Sequence, residues 1–437
     1  MELTRTELMP GVWLSHLSSD KFKTACLSLN LLTQLKRETA AMNALIPFVL
    51  RRGTNALPDL EAISARLDEL YGVAIEPVIR RLGEIQCLGF YASFPEEAFL
   101  PQRQEILRPT AALLGQLLLS PATRGGLLLP AYVDSEREKM LELLRSRIND
   151  KRGYSLIRCT EEMCCCEDYA VGRYGGESEC QAIRYRKLTQ QYHALLQSCP
   201  IELFYCGRTP KEQVAEALRE ALTTLPRGEI DYEIGTDVRM NAMEEQPRVV
   251  EEKLNVTQGK LVIGFRLGEC MEEPNEPALY VFNTVFGSGT SSKLFMNVRE
   301  RLQLCYYASS LLDPRKGLLW VASGIEFDQK EAVQAEILAQ LEAIRRGEIS
   351  DEELEAARQG VASDMRMMTD CQGDLEGFVL SQVLQGSDCG PLDMAQLAEE
   401  VSREDVVAIA NSVECDLIYF LSGDPDADGE EEDDEEA

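Results

Sequence analysis

Apolar positions along this chain fall into strand-length runs and into stretches with helical spacing, in an order that occurs twice. In the first half, residues 25–32 (ACLSLNLL) form a near-continuous apolar run that reads as a strand. A helix is predicted over 40–52 and is broken by Gly53-Thr54. A second helix is predicted over 59–71, where Leu60, Ile63, Leu67 and Leu70 recur every three or four residues. A strand over 86–94 and longer helices over 102–119 and 135–149 complete this half. In the second half, residues 260–267 (KLVIGFRL) read as a strand, and 276–286 as a helix stopped at Gly287-Ser288-Gly289-Thr290. A helix over 292–303 and strands over 305–311 and 318–325 follow. The capping box Ser350-Asp351-Glu352-Glu353 opens a helix that reaches Met368. A final helix covers 401–413 and a final strand 416–421 (DLIYFL).

Setting Gly53-Thr54 on Gly289-Thr290 aligns the two helix–break–helix units at one offset, which points to duplication. The fold class expected is α+β: two homologous domains, each a mostly antiparallel sheet with helices packed on one face. The polar stretch 225–252 is the expected linker, between a domain over 1–224 and a domain over 253–422. The 437-residue length fits two domains of about 200 residues each.

Charge narrows the function classes. The net charge is −30, and residues 424–437 carry ten acidic side chains and no basic ones, leaving −20 elsewhere. This balance argues against nucleic acid and against anionic membrane surfaces as partners. The acidic tail over 423–437 cannot bury apolar area and is expected to be disordered. No signal peptide opens the sequence and no apolar stretch reaches membrane-spanning length, so a cytoplasmic location is expected. The 14 cysteines are scattered, as expected of a reducing compartment. Cys164-Cys165-Cys166, with Cys159 upstream, lacks the paired spacing that lets two thiolates reach one zinc ion, so a metal site there is disfavoured.

Other chemistry is thin. Gly287-Ser288-Gly289-Thr290-Ser291-Ser292-Lys293 is glycine-rich but is no phosphate loop, because it lacks G-K-[ST] and its lysine comes too late. No G-x-S-x-G elbow occurs, which disfavours a serine hydrolase. The two histidines, His16 and His193, have no ligand pattern around them and read as packing or surface residues. Met365, Met367 and Met368 read as helix core rather than a binding surface.

The stretch 282–295 (FNTVFGSGTSSKLF), followed by Val298-Arg299-Glu300 and Leu304-Cys305-Tyr306, resembles the second half of the pitrilysin/insulinase-like metallopeptidase family. That half carries a glycine-rich turn, a Leu-Phe helix start, an Arg-Glu pair and a tyrosine seven residues beyond the arginine. Residues 169–179 (YAVGRYGGESE) and 200–207 (PIELFYCG) extend the resemblance, which covers about residues 1–422. Active members carry H-x-x-E-H on the first-half helix before a Gly-Thr. Two histidines one turn apart hold zinc, and the glutamate activates its water. Counting back from Gly53-Thr54, those degenerate zinc-motif positions are Ala44, Pro47 and Phe48, none of which ligates metal or moves a proton. The third ligand, a glutamate, falls near Leu144 or Arg145, with Glu142 the nearest acid. No metal or other cofactor and no catalytic residue is therefore expected. Pro47 predicts a kink or restart of its helix.

The resemblance implies that Arg299 and Tyr306 bind substrate by hydrogen-bonding a peptide carbonyl near the scissile bond. The plainer reading is an arginine paired with Glu300 and a tyrosine in the sheet core. The expectation adopted is a non-catalytic, substrate-binding subunit, half of a clam-shell, whose partner is a zinc-bearing homologous peptidase subunit and whose substrate is a peptide or protein. The alternative is a free-standing peptide-binding or scaffold protein.

Overall fold

The structure is a computed structural model that describes residues 2–423 apart from Glu273. The expected acidic tail from 424 onward lies outside the described residues. The chain forms two compact units, each assembled from three segments. The first takes Met1–Ser146, Val171–Thr236 and Met367–Pro391; the second takes Arg147–Ala170, Asp237–Arg366 and the residues from Leu392. Segment 147–170 thus joins the later-built unit, and segment 367–391 joins the earlier one. Of the expected linker, 225–247 carries no helix or strand, whereas its last residues belong to the strand Arg248–Leu254.

The first unit is built on strands β1 (Glu2–Met9), β2 (Val12–Ser18), β3 (Thr24–Gln34), β4 (Ala74–Leu82) and β5 (Ile85–Pro95). A small hairpin, β6 (Thr123–Arg124) and β7 (Leu127–Leu128), stands apart, and β8 (Ile201–Gly207) returns to the main sheet. The sheet order is β1-β2-β8-β3-β5-β4, antiparallel except for β2 with β8. The central strand β3 is buried on both sides, which explains its continuous apolar run. Leu27, Leu29 and Leu31 join the core that also holds the helices Arg37–Leu50, Leu107–Leu119 and Tyr185–Ser198. On the opposite face a single helix, Gln372–Leu384, packs Leu375 and Val379 against Cys26, Phe204 and Cys206. Its Glu376 is fully buried and accepts from Ser28 Oγ at 2.8 Å and Asn30 Nδ2 at 3.0 Å, and pairs with Arg80. The main helical layer lies on one face as expected, with this one helix added on the other.

The second unit repeats the plan with β9 (Arg248–Leu254), β10 (Gly259–Arg266), β11 (Tyr307–Asp313), β12 (Leu318–Ile325) and β13 (Glu414–Gly423). The order is β11-β12-β10-β13-β9, again with one parallel pair, β13 with β9. In both units the last strand lies between the central strand and a parallel neighbour, the structural echo of the duplicated element order. The helix Lys151–Met163 covers one face, with Cys159 and Met163 packed on Val262 and Tyr419. The other face carries Glu276–Asn283, Lys330–Arg345 and Arg403–Ser412; there Phe265 meets Phe286 edge-on at 6.4 Å. This unit also buries charge. Arg266 and Lys316 are fully enclosed, Arg266 reaching Asp416 at 2.9 Å and Glu167 at 2.6 Å, and Lys316 reaching Glu167 at 2.7 Å.

Candidate functional site

The helix Arg37–Leu50 carries Ala44, Pro47 and Phe48. It runs through Pro47 without a break, and the Arg51 N–H donates to the Pro47 carbonyl at 3.0 Å. The expected restart near Pro47 does not occur. Proline removes only the bond to the Asn43 carbonyl, and the helix ends three residues later, so little helix remains to be displaced.

The surroundings of these three residues are closed and mostly apolar. Ala44 and Pro47 are buried and Phe48 is half-buried against the core. The void beside Pro47 holds about 10 Å³ and is lined by Ile46, Leu50, Phe90, Leu118 and Leu195 among others. That is no more than one water needs, and a water also needs polar partners. Next to Ala44, the fully buried Asn43 joins an amide chain. Gln191 Nε2 donates to its Oδ1 at 2.8 Å, and its Nδ2 donates to Gln86 Oε1 at 3.0 Å. Gln86 Nε2 in turn donates to the carbonyls of Ala40 (3.0 Å) and Arg173 (2.8 Å). Gly175 has φ +68°, and a Cβ there would come within 2.6 Å of the Ala41 nitrogen. The loop therefore lies directly on the helix, and only glycine fits.

The helix Pro130–Ser146 supplies no replacement ligand. Leu144 is buried, Arg145 pairs with Glu177 at 2.6 Å, and Glu142 faces solvent. Its buried acid is Glu136, held by Arg52 at 3.2 Å and Lys139 at 2.8 Å. His16 is buried and donates from Nε2 to the Thr209 carbonyl at 2.9 Å, whereas His193 is exposed. Cys164 is buried, while Cys165 and Cys166 are exposed with sulfurs 3.8 Å apart. Among the described residues, no group of three or more His, Cys, Asp or Glu is placed to hold a metal ion.

The stretch of the second unit that carries the resemblance is irregular. The helix Glu276–Asn283 continues as a π-helix over Thr284–Ser288, and Leu294–Arg301 is a second π-helix. The Leu302 N–H accordingly donates five residues back, to Asn297 O, at 3.1 Å. π-helical turns are rare and concentrate at functional sites. Gln303 follows with φ +52°, an uncommon conformation for a residue with a side chain. Strain of this kind is retained where surrounding structure imposes it. Arg299 and Tyr306 flank this point. The Arg299 side chain is 45% exposed, stacks over Phe295 at 4.9 Å and lies 3.7 Å from Glu300. Tyr306 is 55% exposed, and its N–H donates to Gly324 O at 2.9 Å, which starts the β11–β12 ladder. Its hydroxyl donates to Glu326, and that bond raises its pKa above the ordinary tyrosine value. The plainer reading, a tyrosine in the sheet core, therefore fits Tyr307 rather than Tyr306.

A Bacillus subtilis relative described as "Probable inactive metalloprotease YmfF" is 31% identical over 414 residues, 94% of this chain and 96% of that protein. The chain belongs to the M16 peptidase family, the pitrilysin/insulinase-like group, as one of its zinc-less members. The family model "Peptidase M16 inactive domain" matches residues 182–361, which include the Arg299–Tyr306 stretch. The fold is shared with a conserved protein from Enterococcus faecalis V583 (TM-score 0.88, 24% identity, 98% of this chain and 100% of that one). It is also shared with a peptidase M16 inactive domain from Pseudomonas fluorescens (TM-score 0.78, 14% identity, 97% and 99%). Within the M16 plan this chain is a non-catalytic homologue. Gln303 and Glu326 join this stretch without any motif to mark them. Their only sequence signal is position, one inside the Arg–Tyr interval and the other just beyond β12.

Proposed function

We propose that this chain is the substrate-binding, non-catalytic subunit of a heterodimeric zinc peptidase, and that Arg299 and Tyr306 contact the peptide. The observation that carries this reading is the contrast between the two stretches that the resemblance marks. The one that would hold zinc is filled, while the one that would hold substrate keeps an arginine and a tyrosine at the surface on a π-helical, strained segment. A guanidinium and a phenol hydroxyl are both hydrogen-bond donors suited to a peptide carbonyl. Among the described residues no metal-holding group stands beside them, and the carboxylates they meet, Glu300 and Glu326, are their pairing partners. The hydrolytic step would belong to a zinc-bearing homologue, whose metal-bound water attacks the peptide.

The test is the double change Arg299→Ala with Tyr306→Phe, assayed in the assembled pair with a zinc-bearing homologue from the same cells. Peptide cleavage is expected to fall while assembly persists, because both side chains are exposed. Unchanged cleavage would show that neither residue meets substrate. A chain that remains alone and still binds peptides would favour the free-standing binding protein.

A further inference from the structure

We propose that Cys26 and Cys206 are a reversible dithiol–disulfide pair, a modification site between strands β3 and β8 of the first unit. The two residues are direct cross-strand partners in the antiparallel β3–β8 ladder. Residues opposed in this way have Cα atoms about 4.5–5.5 Å apart. That separation lies inside the range of about 4.4–6.8 Å that a disulfide spans. Both side chains point to the same face, toward the helix Gln372–Leu384, and both are fully buried. No strand need move for the bond to close.

Four other cysteines of note do not offer this. Cys165 and Cys166 lie 3.8 Å apart but are sequence neighbours, so a bond between them would close a small ring through one peptide unit. Cys87 and Cys180 are buried and unpaired.

The redox step balances simply. Two S–H bonds break and one S–S bond forms, and two electrons and two protons leave. Hydrogen peroxide takes them and becomes two waters. A small-molecule disulfide takes them by exchange through a mixed disulfide and leaves as two thiols. The helix Gln372–Leu384 controls access. Gln372 Nε2 donates to the Cys206 carbonyl at 3.0 Å and to the Thr24 carbonyl at 3.0 Å, and Leu375 and Val379 cover the sulfurs. Oxidation therefore proceeds from a state in which this helix has lifted. The resulting cross-link ties β3 to β8 beneath it. This inference is independent of the peptidase reading, which uses no cysteine.

The experiment treats the full chain with hydrogen peroxide and, separately, with oxidised glutathione. Remaining thiols are then blocked under denaturing conditions, and unreduced peptides are mapped by mass spectrometry. The expected result is one dominant linked pair joining Cys26 to Cys206, two hydrogens lighter than its parts, with two fewer titratable thiols and full reversal by dithiothreitol. Because Cys206→Ser alters a buried site, the second variant changes only the exposed thiols: Cys165→Ser, Cys166→Ser and Cys371→Ser together. The link is expected to persist in that background. Separate glutathione or sulfinic adducts on the two residues would overturn the proposal. So would linkage confined to Cys165 and Cys166, or thiols at 26 and 206 that stay fully reactive toward the blocking agent.

Discussion

The helix Arg37–Leu50 and the stretch 276–306, which starts at the matching helix of the second half and runs on past its break, differ in chemistry. The first is a regular helix packed on apolar neighbours, and its polar content is an amide chain with every partner satisfied. The second leaves α-helical register twice, passes a residue at positive φ, and shows an arginine and a tyrosine to solvent. The first is regular throughout, and among the described residues no group there is placed to hold an ion. The second still carries irregular geometry, which good packing alone would not favour.

The largest expected effect comes from trying to reverse the first change. Installing Ala44→His, Pro47→Glu and Phe48→His together places ionisable groups in a closed apolar site. Each unpaired buried charge costs several kcal/mol, so the sum is expected to exceed about 5 kcal/mol. Urea unfolding and elemental analysis check this, with no folded zinc protein expected. A folded variant holding one zinc would mean the site is dormant rather than filled.

The second test concerns the charge buried in the second unit. Glu167→Gln removes the carboxylate shared by Arg266 and Lys316 and is expected to cost about 3–5 kcal/mol in denaturant unfolding. A smaller effect follows from pH. Burial pushes Glu167 up, but hydrogen bonds from Arg266 and Lys316 outweigh it and hold the carboxyl below its usual value of 4.5. Glu252 is lowered as well, with Tyr154, Tyr419 and Arg158 outweighing burial. Such groups stabilise fully above the unfolded pKa, and the contribution is lost as pH falls through the folded value. In the first unit, burial raises Glu202 and Glu96, so acidification favours the native form at those two groups, against the lowered Glu179. Amide exchange between pH 7 and pH 4 is therefore expected to weaken the second unit before the first. Earlier loss of protection in the first unit would contradict this division.

A subtler expectation sits at Gln303. Glycine removes the side-chain conflict at φ +52°, so Gln303→Gly is expected to be neutral or stabilising by up to about 1 kcal/mol, and Gln303→Val to destabilise by about 1–2 kcal/mol. If the strain serves substrate contact, the glycine variant cleaves less in the assembled pair although it is no less stable.

Strands that are central in their sheets were legible from the sequence, because burial on both sides makes them continuous apolar runs: β3, β10 and β13. The edge strand β11 was legible as well, but the edge strands β1, β4 and β9 were not. β9 (RVVEEKL) alternates buried and exposed positions with charges among them, and β4 carries Pro77 and two arginines. The helix Lys330–Arg345 went unassigned although Val333, Ile337, Leu341 and Ile344 recur at helical spacing. The start and end of the long helix opened by Ser350 were read closely, because the capping box is local chemistry. The π-helical register was not legible, since no residue pattern marks an i to i+5 bond. Ala44, Pro47, Phe48, Arg299 and Tyr306 were singled out by the family resemblance, whereas Asn43, Gln86 and Gln191 meet only through the tertiary fold. The exchange of segments 147–170 and 367–391 between units has the same cause.

The most direct measurement is gentle affinity isolation of this chain from its source cells, with the co-purifying proteins identified and quantified by mass spectrometry. The account predicts a near-stoichiometric homologue that carries an intact H-x-x-E-H, and zinc in that homologue alone. Recovery of this chain by itself, folded and stable, would contradict the heterodimer and leave Arg299 and Tyr306 as structural residues.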